Sequence, residues 1–289
     1  MTAYDKRLHA FRPDLADARL KGQITAERFV DGRPARIVAA VADMLSEPRP
    51  DAGMNTQLLR GDGVTVFEET EGWAWVQATR DGYVGYVSGG FLGDRTDEPT
   101  HVVSAPRSFL YPGPDLKLPR SGELSLGSSV IVRDFAETRG TRYALLSTGE
   151  AIISGHLRPV GEVSDDYVAI AEQLLMTPYL WGGSTAFGID CSGLVQLAMR
   201  MAGRDVLRDS DMQAATIGEP IEPGEGYSGL RRGDLVFWKG HVAIMLDGQT
   251  MIHANGHTML VSREGLTDAI DRIGYLYGGP TGFRRPWRE

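Results

Sequence analysis

The sequence predicts an α+β protein in which two small β-barrels precede a domain of helices and antiparallel sheet. Three observations support this fold class. Residues 41–160 carry short alternating apolar runs separated by Gly, Pro, Asp and Ser, which is typical of strands and turns. A motif within these residues occurs twice. After residue 161, the apolar residues first take helical spacing and then return to short strand-like runs.

The repeated motif divides the strand-rich region in two. Phe67-Glu-Glu-Thr-Glu-Gly72 returns as Phe135-Ala-Glu-Thr-Arg-Gly140, and each copy leads into an aromatic strand. The copies end alike, as Ser88-Gly-Gly-Phe-Leu92 and Ser154-Gly-His-Leu157. Two barrels explain this pattern, and chance similarity between turn sequences is the alternative. The predicted divisions are an N-terminal segment at 1–40, barrels at 41–97 and 98–160, and the following domain at 161–289.

The domain after the barrels begins with two predicted helices. Ser164-Asp165-Asp166 supplies an N-cap and an acidic first turn to a helix over Tyr167–Met176. A second helix runs from Cys191 to Met201 and is closed by Gly203. Asp247-Gly248 has the composition of a hairpin turn. Strand-like runs occur at 234–238, 241–246 and 250–253.

Charge and hydropathy restrict the partners and the location. The 289 residues carry a formal net charge of −8 and no long run of Lys or Arg, which argues against nucleic acid and membrane as partners and favours a small ligand. The charged N-terminus lacks the apolar core of a signal peptide, so we expect a cytoplasmic protein. Residues 1–40 should pack on the barrels or on the following domain. The oligomeric state has no signature in the sequence.

Cys191 is the only cysteine, and it stands where a helix begins. A cysteine attacks a carbonyl group as the thiolate, and the first turn of a helix favours an anion because its N–H groups are unpaired. The same N–H groups can face a developing oxyanion. Gly182, Gly183 and Gly188 let a strand-free loop deliver the sulfur and give a substrate room to approach. The alternative is a small buried hydrophobic residue.

Two histidines are candidates for the base. His241 begins one strand-like run and His253 ends the next, at nearly equal distances from the Asp247-Gly248 turn. A hairpin centred there places the rings opposite each other or nearly so. His241 would then accept the thiol proton, and His253 would orient it and select its tautomer. The alternative is a structural role for each histidine.

Five motifs resemble, in order and spacing, those of the NlpC-type cysteine peptidases of bacterial cell-wall metabolism. They are Pro178-Tyr-Leu-Trp-Gly-Gly183, Asp190-Cys-Ser-Gly-Leu194, Arg232-Gly-Asp-Leu-Val236, His241-Val-Ala-Ile-Met-Leu246 and Met251-Ile-His-Ala254. The resemblance implies a reduced papain-like fold with Cys191 as nucleophile, His241 as base and His253 as the third, polar member. It implies no cofactor and no metal ion. The upstream repeat resembles the bacterial SH3-type barrels that accompany several of these enzymes.

The resemblance also implies a substrate. Family members cleave the bond between γ-D-glutamate and the diamino acid of murein peptides, and the peptide-recycling branch demands a free N-terminal L-alanine under an SH3-type roof. Asp190, Tyr83 and Glu47 would bind that ammonium group. Holding it fixes which bond reaches the sulfur, so the enzyme would release dipeptides. The alternatives are a plain strand aromatic for Tyr83 and a solvated loop charge for Glu47.

Other residues carry expectations from the same resemblance. Ser192 and Ser210 would contact the D-glutamate α-carboxylate or the neighbouring backbone, and Asp209 would contact an amide or amine. Tyr179 and Trp181 would line the cleft. Arg208 receives no role, and the sequence does not distinguish meso-diaminopimelate from lysine as the diamino acid.

Two other classes of function compete with the peptidase. A cell-wall-binding module with a vestigial thiol domain would not need the thiol, the two histidines and the Asp-Cys-Ser context together. An acyltransferase of the papain-like class would share the acyl-enzyme and differ only in the acceptor. Such acyltransferases usually need an apolar segment that faces lipid, and the sequence has none.

Overall fold

The structure is a computed structural model that describes residues 4–95 and 97–287. The chain divides between Glu162 and Val163 into two units. Three of the predicted divisions contain residues that the structure does not describe. These are residues 1–3 in the division 1–40, residue 96 in 41–97 and residues 288–289 in 161–289. No helix among the described residues is both long and apolar enough to cross a membrane.

The first unit begins with a short parallel strand pair and an antiparallel seven-stranded sheet in the order β5-β4-β8-β7-β6-β3-β9. 3-10 helices lie at Ala18–Leu20 and Gly89–Phe91. The strands are β1 Leu15–Asp17, β2 Arg28–Val30, β3 Arg33–Ile37, β4 Val41–Leu45, β5 Met54–Leu59, β6 Gly63–Thr70, β7 Trp73–Ala78, β8 Val84–Ser88 and β9 Leu92–Gly93.

The first sheet starts earlier than the predicted boundary at residue 41. β3 belongs to the segment predicted as 1–40, yet it pairs with β6 and β9. Its alternating side chains explain this, because Ala35 and Ile37 are buried while Arg33 faces solvent. β3 therefore belongs to the sheet because the side chains on one of its faces are buried there.

Arg12 connects the N-terminal segment to that sheet through hydrogen bonds and a cation–π contact. Its guanidinium donates to Glu68 Oε2 at 2.6 Å and to the Tyr86 hydroxyl at 2.9 Å. It also lies over the Trp75 ring, 4.4 Å from the centroid. The described part of this segment therefore contacts the seven-stranded sheet, in the first of the two regions on which residues 1–40 were expected to pack.

The second half of the unit contains a five-stranded sheet, β12-β11-β16-β15-β14, and a three-stranded sheet, β13-β10-β17. Its core is formed by Val103, Leu110, Leu124, Val130, Ala144, Leu146 and Ile152. A 3-10 helix lies at Ser154–His156. The strands are β10 His101–Val103, β11 Arg107–Tyr111, β12 Gly122–Ser125, β13 Ser129–Val130, β14 Val132–Thr138, β15 Thr141–Leu146, β16 Ala151–Ile153 and β17 Leu157–Pro159.

The two copies of the repeated motif form the same local structure. Glu71 and Gly72 join β6 to β7, and Arg139 and Gly140 join β14 to β15. All four have positive φ, between 50° and 82°, which is the conformation of a two-residue hairpin turn. Each hairpin is followed by a strand, a 3-10 helix and a short strand. That the second copy is an SH3-type barrel stays a prediction.

The second unit has a six-stranded antiparallel sheet in the order β20-β25-β21-β22-β23-β24, and α2 packs against β22 and β23. A 3-10 helix lies at Glu225–Tyr227. The helices are α1 Tyr167–Gln173, α2 Cys191–Met201, α3 Ser210–Thr216 and α4 Leu266–Tyr277. The strands are β18 Ser184–Thr185, β19 Gly188–Ile189, β20 Glu219–Pro220, β21 Leu235–Trp238, β22 His241–Met245, β23 Thr250–Asn255, β24 Leu260–Gly265 and β25 Gly282–Arg285.

Both predicted helices form at the expected positions. Asp166 caps α1 by accepting from Val168 N at 2.9 Å and Ala169 N at 3.1 Å, and the helix ends three residues before Met176. α2 has the predicted bounds, and Gly203 follows it with φ of 74°. The loop before α2 is not strand-free, since β18 and β19 form a small hairpin there.

Candidate active site

Cys191 is the first residue of α2, and its position is fixed by the residues around it. Asp190 caps the helix by accepting from Gly193 N at 2.7 Å. A side chain at Gly193 would collide with the carbonyl oxygen of Gly183, so glycine is needed where the helix meets the preceding loop. Cys191 as a whole is 7% exposed.

The thiol lies against the start of β22. Its sulfur is 4.0 Å from the Gly240 carbonyl oxygen and accepts from the Val242 N–H. These two groups flank His241 in the chain. The packing of α2 on the sheet therefore brings the sulfur to the strand that carries the candidate base.

The structure corrects the expectation that the helix terminus lowers the pKa of this thiol. Burial raises the pKa of Cys191 to about 12, and the neighbouring charge of Asp190 adds to the effect. The Val242 N–H, the Arg208 charge and the Ser192 N–H lower it, but less. Loss of hydration thus outweighs these stabilising contacts and favours the neutral thiol.

His241 and His253 form a contacting pair, as the sequence predicts. His241 Nε2 lies 2.9 Å from His253 Nδ1, and the ring centroids are 5.1 Å apart. Ile244 pairs with Ile252, and the same antiparallel register places Ala243 opposite His253. His241 lies two residues before Ala243 on the same strand, so the two histidine rings are diagonal neighbours on one face of the sheet. The expectation of directly opposite rings is corrected by this register.

The buried environment keeps His241 neutral. Burial lowers the pKa of His241 to about 3, and His253 and Arg272 lower it further, while Glu264 acts in the opposite direction. A neutral imidazole retains one unprotonated nitrogen. His241 Nε2 lies next to His253, so His241 Nδ1 is able to accept a proton when the ring proton is on Nε2.

Glu264 and Arg272 extend the histidine pair, and the sequence analysis did not identify them. His253 is fully buried, and its Nε2 lies 3.1 Å from Glu264 Oε2. Arg272 holds that carboxylate with two contacts, Nη2 to Oε2 at 2.6 Å and Nε to Oε1 at 2.8 Å. Ser262 pairs with His253, so the residue two positions on shares its face. Period-two spacing along β24 identifies Glu264 only once this register is known, so the sequence alone did not point to it.

Arg208, which had no assigned role, forms a buried ion pair with Asp190. Its guanidinium donates to both carboxylate oxygens, at 2.7 and 3.0 Å, and to Ser192 Oγ at 2.7 Å. Arg208 is 1% exposed, so it is almost completely removed from water. Asp190 also accepts from Gly182 N at 2.9 Å. The pair clamps the glycine loop to the start of α2, and binding of a substrate ammonium by Asp190 stays a prediction.

The remaining predicted residues of this unit differ in exposure. Burial raises the pKa of Tyr179, and the Cys191 and Asp190 charges add to this, which places the phenol near the thiol. Trp181 is 73% exposed. Asp209 and Ser210 begin α3, which Gln213 ties to α2 by donating to the Ser192 carbonyl at 3.0 Å. Their contacts with substrate stay predictions.

Tyr83 and Glu47 belong to the first unit. Tyr83 is buried, with its N–H donating to Asp81 Oδ1 at 3.0 Å. Glu47 is exposed and pairs with Arg49 at 3.0 Å. Their predicted contact with a substrate amine stays a prediction.

Comparisons with known proteins agree with the two-part organisation. A family model described as "NlpC/P60 family" matches residues 176–269, and one described as "Bacterial dipeptidyl-peptidase Sh3 domain" matches residues 44–89. The second match lies within the seven-stranded sheet.

Three individual proteins extend the comparison to most of the chain. The γ-D-glutamyl-L-lysine dipeptidyl-peptidase of Bacillus subtilis is 30% identical over 231 residues, which are 71% of this chain and 73% of the relative. Dipeptidyl-peptidase 6 of Lysinibacillus sphaericus is 28% identical, over 84% of this chain and 99% of that protein. The crystal structure of an NlpC/P60 family protein from Bacillus cereus shares the fold, with a TM-score of 0.72, 24% identity and coverage of 89% and 100%.

Proposed function

Since this chain belongs to the NlpC/P60 family, we propose that it is a cysteine peptidase that hydrolyses the γ-D-glutamyl–diamino acid bond of murein peptides with a free N-terminal L-alanine. One observation carries the proposal: the Cys191 thiol lies at the N-terminus of α2, against the backbone groups on either side of His241. The relative from B. subtilis, named for the γ-D-glutamyl-L-lysine bond, supports the choice of bond.

In the first half of the reaction the sulfur becomes acylated. His241 accepts the proton of Cys191 while the sulfur attacks the carbonyl carbon of the γ-glutamyl amide. Because burial keeps both groups neutral at rest, proton transfer and S–C bond formation belong to one step. The N-terminus of α2 stabilises the negative charge that develops on the carbonyl oxygen. The C–N bond then breaks, and the imidazolium returns its proton to the departing amine.

In the second half, water replaces the amine. His241 accepts a proton from the water molecule as its oxygen attacks the thioester carbon. The C–S bond breaks, the sulfur recovers the proton, and L-Ala-γ-D-Glu leaves with a new carboxyl group. The neutral thiol and imidazole are restored.

Selectivity for a free amine is part of the same proposal. Asp190, Tyr83 and Glu47 would bind the L-alanine ammonium, and Ser192, Asp209 and Ser210 the D-glutamate and neighbouring backbone. Tyr179 and Trp181 would line the cleft. The proposed setting is the recycling of released peptides in the cytoplasm, because stem peptides expose this amine only after release from the glycan.

The decisive experiment compares four peptides with matched ends. L-Ala-γ-D-Glu-meso-diaminopimelate, its L-lysine counterpart and the N-acetylated form of each are incubated with the protein, and L-Ala-γ-D-Glu is measured by mass spectrometry. We expect cleavage of at least one free-amine peptide and of neither acetylated form. Equal cleavage of free and acetylated peptides contradicts amine selectivity.

Two further outcomes identify the competing functions. Retention of the protein on purified murein without cleavage of any peptide would support the binding module. Transfer of the dipeptidyl group to an added amine, faster than to water, would support an acyltransferase.

A further inference from the structure

The contacts of His253 form a chain that ends at a charged pair outside the predicted triad. His253 Nδ1 lies 2.9 Å from His241 Nε2, and His253 Nε2 lies 3.1 Å from Glu264 Oε2. His253 has no exposed surface, so the protein rather than water decides which ring nitrogen carries its proton.

Arg272 keeps the last member of this chain an acceptor. Its guanidinium meets both oxygens of Glu264, at 2.6 and 2.8 Å. These contacts lower the pKa of Glu264 to about 2, against the opposing effect of its partial burial. An ionised carboxylate accepts and never donates. A proton on His253 Nε2 is therefore attracted to Glu264, whereas a lone pair there would be repelled.

We infer that Glu264, held by Arg272, is a positioning residue that sets the tautomers of both His253 and His241. With its proton on Nε2, His253 presents an unprotonated Nδ1 to His241. His241 must then donate from its own Nε2, which leaves its Nδ1 free to accept the thiol proton. The opposite assignment would place a proton on His241 Nδ1 and remove the base. This inference rests on the proposed function.

The charged pair also affects the protonated intermediate. The groups that shift the pKa of His241 are His253, Arg272 and Glu264, and of these Glu264 alone raises it. Replacing Glu264 by a neutral residue leaves the Arg272 cation uncompensated. The imidazolium of His241 then forms less readily, and its pKa falls.

The test substitution is Glu264→Gln, which keeps the size of the side chain and removes its charge. We expect kcat to fall by roughly 10- to 100-fold, as for other residues that orient a functional histidine, with KM changed less than about twofold. The acid limb of kcat/KM should move to lower pH. A purely structural role would not move that limb, and an unchanged limb with unchanged kcat overturns the inference.

Glu172→Gln is the matched control. Glu172 also accepts from arginines, Arg232 and Arg263, at 2.9 Å, and it is partly exposed as Glu264 is. It lies on α1, and no hydrogen bond or ion pair to a histidine is found for it among the described residues. This variant should retain the kcat and pH profile of the unmodified protein.

A measurement without substrate separates this inference from the proposed function. Two-bond ¹H–¹⁵N NMR spectra of the ¹⁵N-histidine-labelled protein at neutral pH should show Nε2–H tautomers for His241 and His253. Glu264→Gln should give mixed tautomers at one or both rings. Unchanged tautomers in that variant overturn the inference even if the peptides are cleaved. If no peptide is cleaved but the tautomers shift, only the proposed function fails.

Arg272→Met covers the case in which Glu264→Gln does not fold. It leaves the carboxylate in place without its cation, so some protonation of Glu264 and a smaller loss of kcat are expected. Arg272→Lys should restore most of that loss. Equal activity of Met and Lys variants with the unmodified protein contradicts the role of the charged pair.

Discussion

The two sides of the candidate site use the same kind of ion pair in different surroundings. Asp190–Arg208 lies beside Cys191, with side chains 11% and 1% exposed, and Glu264–Arg272 lies behind the histidines, with side chains 21% and 29% exposed. Each arginine contacts both oxygens of its carboxylate. From this difference in burial we expect the first pair to hold the fold of the loop and helix, whereas the second pair has the proposed role of orienting the histidines.

The largest effect should come from the nucleophile itself. Cys191→Ser should lower kcat by roughly 10⁶-fold, since loss of a nucleophile from a catalytic set costs about that much. Burial of the hydroxyl in the same place should leave the fold intact. Peptide cleavage and the far-ultraviolet circular dichroism spectrum test the two statements. Retained turnover would contradict the assignment of the nucleophile.

The second prediction compares the two ion pairs directly. Arg208→Met should lower the free energy of unfolding by about 3–5 kcal/mol, because it leaves a buried carboxylate without its cation. Arg272→Met, at the more exposed pair, should lower it by about 1 kcal/mol or less. Urea denaturation measures both. Equal losses would remove the distinction between a structural pair and an orienting pair.

The third prediction concerns the ionisation of the site. Burial raises the pKa of Cys191 to about 12 and lowers that of His241 to about 3, so both groups are neutral between these values. Alkylation of Cys191 by iodoacetamide should therefore rise by about tenfold per pH unit between pH 6 and 9, following the small thiolate fraction. A rate independent of pH near neutrality would show a preformed thiolate–imidazolium pair instead.

The same shifts predict a fall in stability on acidification. The folded-state pKa of His241 is below its ordinary value of 6.5, so the unfolded chain binds this proton first. Its contribution to stability is complete above pH 6.5 and is lost as the pH falls toward about 3. Urea denaturation at pH 7 and pH 5 measures this loss, and His241→Gln should reduce the difference. An equal pH dependence in both proteins would contradict it.

The smallest effect is expected in the first unit. Tyr83→Phe should raise KM by roughly tenfold or more with little change in kcat, since one hydrogen bond to a charged amine is worth about 1.5–3 kcal/mol. Tyr143→Phe is the control, because its buried hydroxyl has no hydrogen-bond partner among the described residues. Similar KM values in both variants would place Tyr83 among the structural aromatics.

Local patterns in the sequence were sufficient for much of the site. The bounds of α2 were predicted by an acidic N-cap, by apolar residues at helical spacing and by a closing glycine. These signals act within a few residues of each other. The hairpin turn likewise predicted contact between His241 and His253. The strand β3 was not predicted as part of the seven-stranded sheet. It joins the sheet by pairing with β6, which lies about thirty positions further along the chain.

The ion pairs beside Cys191 and behind the histidine pair needed the packed structure. Arg272 reaches Glu264 from α4, a helix absent from the sequence prediction, and Arg208 reaches Asp190 from the loop before α3. Such pairs join side chains whose separation in the sequence carries no periodic signal. Only the register of β23 with β24 shows that Glu264 and His253 share a face.

The amino-acid sequence by itself determined the place of Cys191 at a helix end, the adjacency of the two histidines and the division between strand-rich and mixed regions. Those features follow from periodicity, capping and turn chemistry, which are local. The tertiary structure decided the direction in which the pKa values of Cys191 and His241 shift, because desolvation depends on everything packed around a group. The tertiary structure also decided that Asp190 pairs with Arg208 and that Glu264 pairs with Arg272, since a buried charge is stabilised only by the cation that the fold brings to it.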